Sequence, residues 1–229
     1  MAGLGAARRG KGCQYSRRRI GDGASPRALT HGEKRNLTME LIKVRIKGDS
    51  PILMHNGRLA NPLNEYTKRL KSLTSKKTKT DADHFDIARA EWEGGLYFND
   101  HGPIVTCDNI DACLKAAAKL QKLGKLFGSA VGIVEEFVPL QYKGPRDLDG
   151  LWSQKFYDIR GVVIGGKRLQ RCRPIFKEWS CEFTVALDER DVNRRQVEQA
   201  LSEAGRRVGL FDRRPEKGGR FGKFTAEML

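Results

Sequence analysis

An α+β domain built on an antiparallel sheet is the fold class this sequence predicts, and three observations carry it. Two segments, 41–47 and 179–187, alternate apolar and polar residues with the period of a half-buried strand. Two others, 109–121 and 193–208, repeat apolar residues at the spacing of an amphipathic helix. With further extended segments at 161–173 and 219–225, the order along the chain is β-α-β-β-α-β.

The first strand, Leu41-Ile42-Lys43-Val44-Arg45-Ile46-Lys47, turns Ile42, Val44 and Ile46 inward and Lys43, Arg45 and Lys47 outward. Gly48-Asp49-Ser50-Pro51 breaks it. Asn61 offers a cap and Pro62 suits the first helical position, with Leu63, Tyr66, Leu70 and Leu73 on one stripe. The stretch 68–80 holds six positive charges and no acid, and reads as a flexible basic segment. Asp83 and Asp86 open a second helix with Phe85, Ala88 and Trp92 on one side, and Gly94-Gly95 end it. A small hairpin joins 96–98 to 103–106. Asp108 caps a third helix through Ile110, Leu114, Ala117 and Leu120; a strand over 136–142 and a polar loop to Gly150 follow. Asn193 and Gln196 form a capping box for the last helix, whose face is Val197, Leu201, Ala204 and Val208 and whose end is Gly209.

With a helical and hairpin insertion over 56–107 set aside, the order is that of a ferredoxin-like or RRM-like core. Two helices cover one face of the sheet and leave the other free. Residues 1–38 carry nine Lys/Arg, two acids and few large apolar residues, the composition of a disordered basic extension. Met39, directly before a clean strand, reads as the true start, and 39–229 as a single domain with a formal charge of +8.

Composition narrows the function. Ten Phe, five Tyr and three Trp can fill a core, while the longest apolar stretches fall far short of the ~20 residues of a membrane span. Five cysteines (Cys13, Cys107, Cys113, Cys172, Cys181) without a C-x-x-C, and four scattered histidines, fit neither a disulfide framework nor a metal site. The expectation is a cytoplasmic protein with no metal, cofactor or membrane partner. A net charge of +15 points instead to a polyanion, nucleic acid first.

The residues expected to meet it lie on the free sheet face: Lys43, Arg45 and Lys47 on the first strand, and Lys167, Arg168, Arg171 and Arg173 on the segment 161–173. Side chains two apart on a strand stand ~7 Å apart, close to the spacing of successive phosphates. Near the C-terminus, Arg213, Arg214, Lys217 and Arg220 alternate with Gly218, Gly219 and Gly222, so that backbone N–H groups and guanidinium groups together would receive phosphate oxygens. The run Arg220-Phe221-Gly222-Lys223-Phe224 resembles an aromatic RNP1 motif, but it lies on the last strand rather than the third. The first strand also lacks stacking aromatics. Gripping of the backbone therefore suits this surface better than base-specific reading.

The βαββαβ order with a glycine-rich loop after the last helix resembles the repeat-associated mysterious protein (RAMP) superfamily, which includes the backbone subunits of CRISPR effector complexes. The resemblance implies binding of single-stranded RNA along a homo-oligomer or filament, with Gly218, Gly219, Arg220, Phe221 and Gly222 in the glycine-rich loop. It also implies that 56–107, including Lys76, Lys77 and Lys79, forms a finger or thumb. The runs 50–57, 173–179 and 219–221 are similar to proteins of unassigned role carried by bacteriophages. The leading expectation is a sequence-tolerant binder of RNA or single-stranded DNA. Two alternatives stand beside it: a phage structural or assembly protein whose basic surface meets an acidic protein, and a metal-independent endoribonuclease. His55 is the single catalytic candidate, although a lone loop histidine is more commonly a hydrogen-bonded structural residue.

Overall fold

The structure is a computed structural model and describes residues 39–229. The reading of 1–38 as a disordered basic extension lies outside the described residues. Strand β1 (Met39–Gly48) follows the expected alternation, with Ile42, Val44 and Ile46 buried and Lys43, Arg45 and Lys47 exposed. After β2 (Ile52–Leu53) come α1 (Glu65–Thr74), α2 (Asp81–Gly95) and the hairpin of β3 (Phe98–Asn99) with β4 (Gly102–Thr106). Next are α3 (Cys107–Leu120), α4 (Gly124–Ala130), β5 (Val131–Ile133), β6 (Phe137–Pro139) and α5 (Leu148–Ser153). The chain then forms β7 (Tyr157–Ile164), β8 (Lys167–Phe176), β9 (Ser180–Asp188), α6 (Arg194–Glu203) and β10 (Phe224–Met228).

The fold is mixed α and β with antiparallel sheets. Its central sheet has the order β10-β1-β9-β5, and every neighbouring pair runs antiparallel. Inward residues of β1 and β9, among them Ile42, Val44, Phe183 and Val185, share one buried cluster with Ile110 and Leu114 of α3 and Val197 and Leu201 of α6. Burying each such side chain contributes roughly 1.5–3 kcal/mol. A second sheet, β2-β8-β7, is stitched in by Trp92 of α2, which is fully buried and donates from its indole N–H to the carbonyl of Phe156 at 2.9 Å.

The structure corrects the sequence in one respect that matters for function. Residues 161–173 are not a strand of the central sheet; they belong to the β7–β8 hairpin of the second sheet. The cause is local. Gly165 and Gly166, with φ of 56° and 78°, form a two-residue turn that folds the segment back on itself. The vacant edge position of the central sheet, beside β9, goes to β5, three residues long and too short to show a period. Boundaries also shift where a nearer cap competes. Asn64, rather than Asn61, accepts from Tyr66 N–H and starts α1, while the Asn61 side chain closes a turn on Leu63 N–H. Thr80 and Asp83 make a reciprocal capping box, so α2 begins at Asp81. Part of the stretch read as flexible is therefore the end of α1. In the loop read as polar, Asp147 caps the short α5. The last strand is Phe224–Met228 rather than 219–225.

Candidate nucleic-acid interface

The outward face of the central sheet is not uniformly basic. Register places Arg45 between Glu182 on β9 and Glu227 on β10, and its Nε donates to Glu182 at 2.7 Å. That hydrogen bond, then the charge of Glu182, raises the Arg45 pKa. Lys43 faces Thr184, and Lys47 sits between Ser180 and Thr225. On the same face, Glu135 accepts from both the backbone N–H and the hydroxyl of Thr184. Among the described residues, two lysines without a carboxylate partner thus flank one neutralised arginine.

The expected continuous track from this face to Arg171 and Arg173 does not form, because those arginines belong to the second sheet. There they meet the C-terminal loop. Counting back from the glycine turn, register pairs Arg160 with Arg171 and Asp158 with Arg173, so these four side chains share one face of the hairpin. Arg173 reaches Asp212 at 2.6 Å. Arg160 pairs with Asp158, and its guanidinium carbon lies 4.7 Å from the centre of the Phe221 ring. Arg220 approaches the same ring from 5.9 Å. Arg171 donates to Glu91 at 2.8 Å, and the other oxygen of Glu91 accepts from the backbone N–H of Cys172. Arg171 and Arg173 are therefore held by acids, not free as the sequence implied. Among the described residues, Arg213 and Arg220 have no carboxylate partner, and both are exposed. The Nε of Arg173 is buried without a hydrogen-bond partner among the described residues.

His55 stands beside this cluster. Desolvation first and the Arg173 guanidinium second lower its pKa, against the opposing pull of Asp212. The imidazole is thus held neutral near pH 7.

The glycine-rich loop is shaped by the chain itself. A Cβ on Gly219 would lie 1.7 Å from the carbonyl oxygen of Arg213, and one on Gly222, where φ is 71°, 2.0 Å from that of Leu210. The backbone N–H groups of Lys217, Gly218, Gly219, Phe221 and Gly222 already donate to chain carbonyls. The loop offers a phosphate its side chains rather than its backbone. Phe221 is buried beneath two guanidinium groups, so its ring is a floor for arginines and not an exposed stacking platform. Arg214 is spent on Glu216 at 2.7 Å and on the Phe211 carbonyl; Lys217 is exposed.

The remaining candidates lie elsewhere. Lys76 is bound by Asp83, while Lys79 donates to the Lys76 carbonyl at 2.7 Å and, with Arg168 and Arg171, lines a groove beside α2. Lys77 is exposed between α1 and α2, and Lys167 and Arg168 stand at the exposed tip of the hairpin. Burial pushes the thiols of Cys113, Cys172 and Cys181 up to about 12, which leaves them protonated and unreactive. Among the described residues no group of three metal-ligating side chains converges, and no helix is long and apolar enough to cross a membrane.

Sequence reasoning missed Asp158, Arg160, Glu91 and Asp212. The signal for the first two was present, since recognising Gly165-Gly166 as a hairpin turn fixes their cross-strand partners. The fold and site define an α+β protein with an arginine-rich hairpin docked on a glycine-rich loop. No protein-family model matches the chain, and no curated protein is similar to it in sequence.

Proposed function

We propose that the chain binds single-stranded nucleic acid, RNA or DNA, by its phosphates, at the junction of the β7–β8 hairpin with the C-terminal loop. The observation that carries this reading is the pair Arg160 and Arg220 over the Phe221 ring, with Arg171 and Arg173 on the same hairpin face as Arg160 and with Arg213 and Lys217 on the adjoining loop. Three carboxylates (Asp158, Glu91 and Asp212) orient three of these arginines but leave the group in cationic excess. Each guanidinium has five N–H donors, so an arginine fixed by one carboxylate still has donors for a phosphate. The lysines Lys43 and Lys47 of the central sheet add a weaker, distributed attraction.

The RAMP resemblance and a ferredoxin-like core belong to the same reading. The sheet order β10-β1-β9-β5, with α3 and α6 as the two crossovers, supports them, as does the glycine-rich loop after α6. Fluorescence anisotropy with labelled single-stranded RNA and DNA at increasing salt tests the proposal. Contact with about six phosphates of a single strand predicts affinity falling by about three hundredfold between ~50 and ~200 mM salt. Binding that ignores salt, or no binding, would contradict it.

A neutral His55 next to Arg173 also supports a second reading, metal-independent cleavage of RNA with His55 as general base. Cleavage lost in His55→Ala but retained in chelator would favour it. Intact RNA after long incubation with the native chain would end it.

A further inference from the structure

Strand β8 carries an unfinished edge. Its outer neighbour β2 pairs only with Phe176 and Ile175, and Met54 N–H, just beyond, bonds the Pro174 carbonyl. From Cys172 back to the turn, no strand lies on the side of β8 away from β7 among the described residues. The Cys172 N–H points outward, since it donates to Glu91 of α2. Outward groups alternate along an antiparallel strand, so the backbone N–H and C=O of Gln170 and Arg168 point the same way. There they face the first turns of α2, across a groove of about 610 Å³.

That groove is apolar where an added strand would lay its side chains. Phe85, Ile87, Ala88, Ile159 and Leu169 line it. Phe85 is 70% exposed, Ile159 52% and Leu169 41%, an uncovered concentration of large apolar surface. Its rim carries more cations than acids: Arg168 and Lys79 have no carboxylate partner among the described residues, Glu91 is already held by Arg171, and Asp81 is the one further acid that lines it.

We infer that this edge is a docking site for an extended segment of another protein, apolar at alternate positions and carrying carboxylates between them. The free N–H and C=O groups of Arg168 and Gln170 call for a strand, the groove takes every second side chain, and Arg168 and Lys79 take the acids.

The test uses an immobilised full-length chain and a synthetic library of peptides of about seven residues, with Val, Leu, Ile or Phe alternating with Glu. Capture is read by mass spectrometry beside a library of the same composition with N-methylated backbones. The expected result is capture of the plain library only, reduced at least about tenfold by Gln170→Pro, which removes an outward N–H without touching the β7 ladder. Phe85→Glu, at an exposed helix position, should reduce it similarly, and circular dichroism should show both variants folded. Equal capture of the N-methylated library, or capture unaffected by both variants, overturns the inference. A dimer seen in light scattering without peptide and abolished by Gln170→Pro would overturn the foreign partner in favour of a second copy.

Discussion

The outward face of the central sheet and the arginine face of the β7–β8 hairpin each present a row of cations on alternate residues, but they dispose of charge differently. On the sheet, cross-strand partners from β9 and β10 bring Glu182 and Glu227 to Arg45, so the charge is cancelled where it arises. On the hairpin, Asp158, Glu91 and Asp212 neutralise part of a cluster to which the C-terminal loop then adds Arg220 and Arg213. A net charge of +15 therefore says little about where a polyanion lands. Register and loop docking decide that.

Breaking the carboxylate partnerships separates the two regions most sharply. Arg171→Glu with Arg173→Glu would place like charges against Glu91, whose side chain is only 7% exposed, and against Asp212. A loss of stability of about 3–5 kcal/mol follows for broken buried pairs, measured by urea unfolding. Reversing Arg45, an exposed residue at its pair, should leave the urea midpoint almost unchanged.

A gentler change sharpens the comparison. Arg160→Gln with Arg220→Gln preserves folding and should weaken single-stranded RNA binding about tenfold, with the salt slope reduced by about one per lost phosphate contact. Next in size is a pH effect. A phosphate beside His55 would reverse the lowering imposed by burial and Arg173, so the complex would take up a proton. Affinity should then rise a few-fold as pH falls from about 7 to about 5, and His55→Gln should flatten the profile. The smallest effect belongs to Lys43→Gln with Lys47→Gln on the sheet, a change in Kd of about threefold or less by anisotropy.

These expectations also mark what the sequence disclosed. The alternation of β1 and β9 and the Asn193–Gln196 capping box were legible, because each rests on contacts between near neighbours in sequence. The six-residue run of exposed positions at the hairpin tip, 165–170, looked like a continuation of an extended strand until Gly165-Gly166 reversed it. The partnership of Arg173 with Asp212 and the burial of Phe221 depend on residues distant in sequence, which no local period encodes. Counting cations picked out Arg171 and Arg173 on β8; it could not see the acids that hold them.

The most direct test compares Arg160→Gln/Arg220→Gln with Lys43→Gln/Lys47→Gln, which remove equal charge from the two regions. Binding of one labelled single-stranded RNA across a salt series is the measurement. The account predicts a slope of log affinity on log salt near −4 for the native chain, clearly shallower in the arginine variant and nearly native in the lysine variant. Equal slopes in both variants, or a larger loss from the lysines, would contradict it.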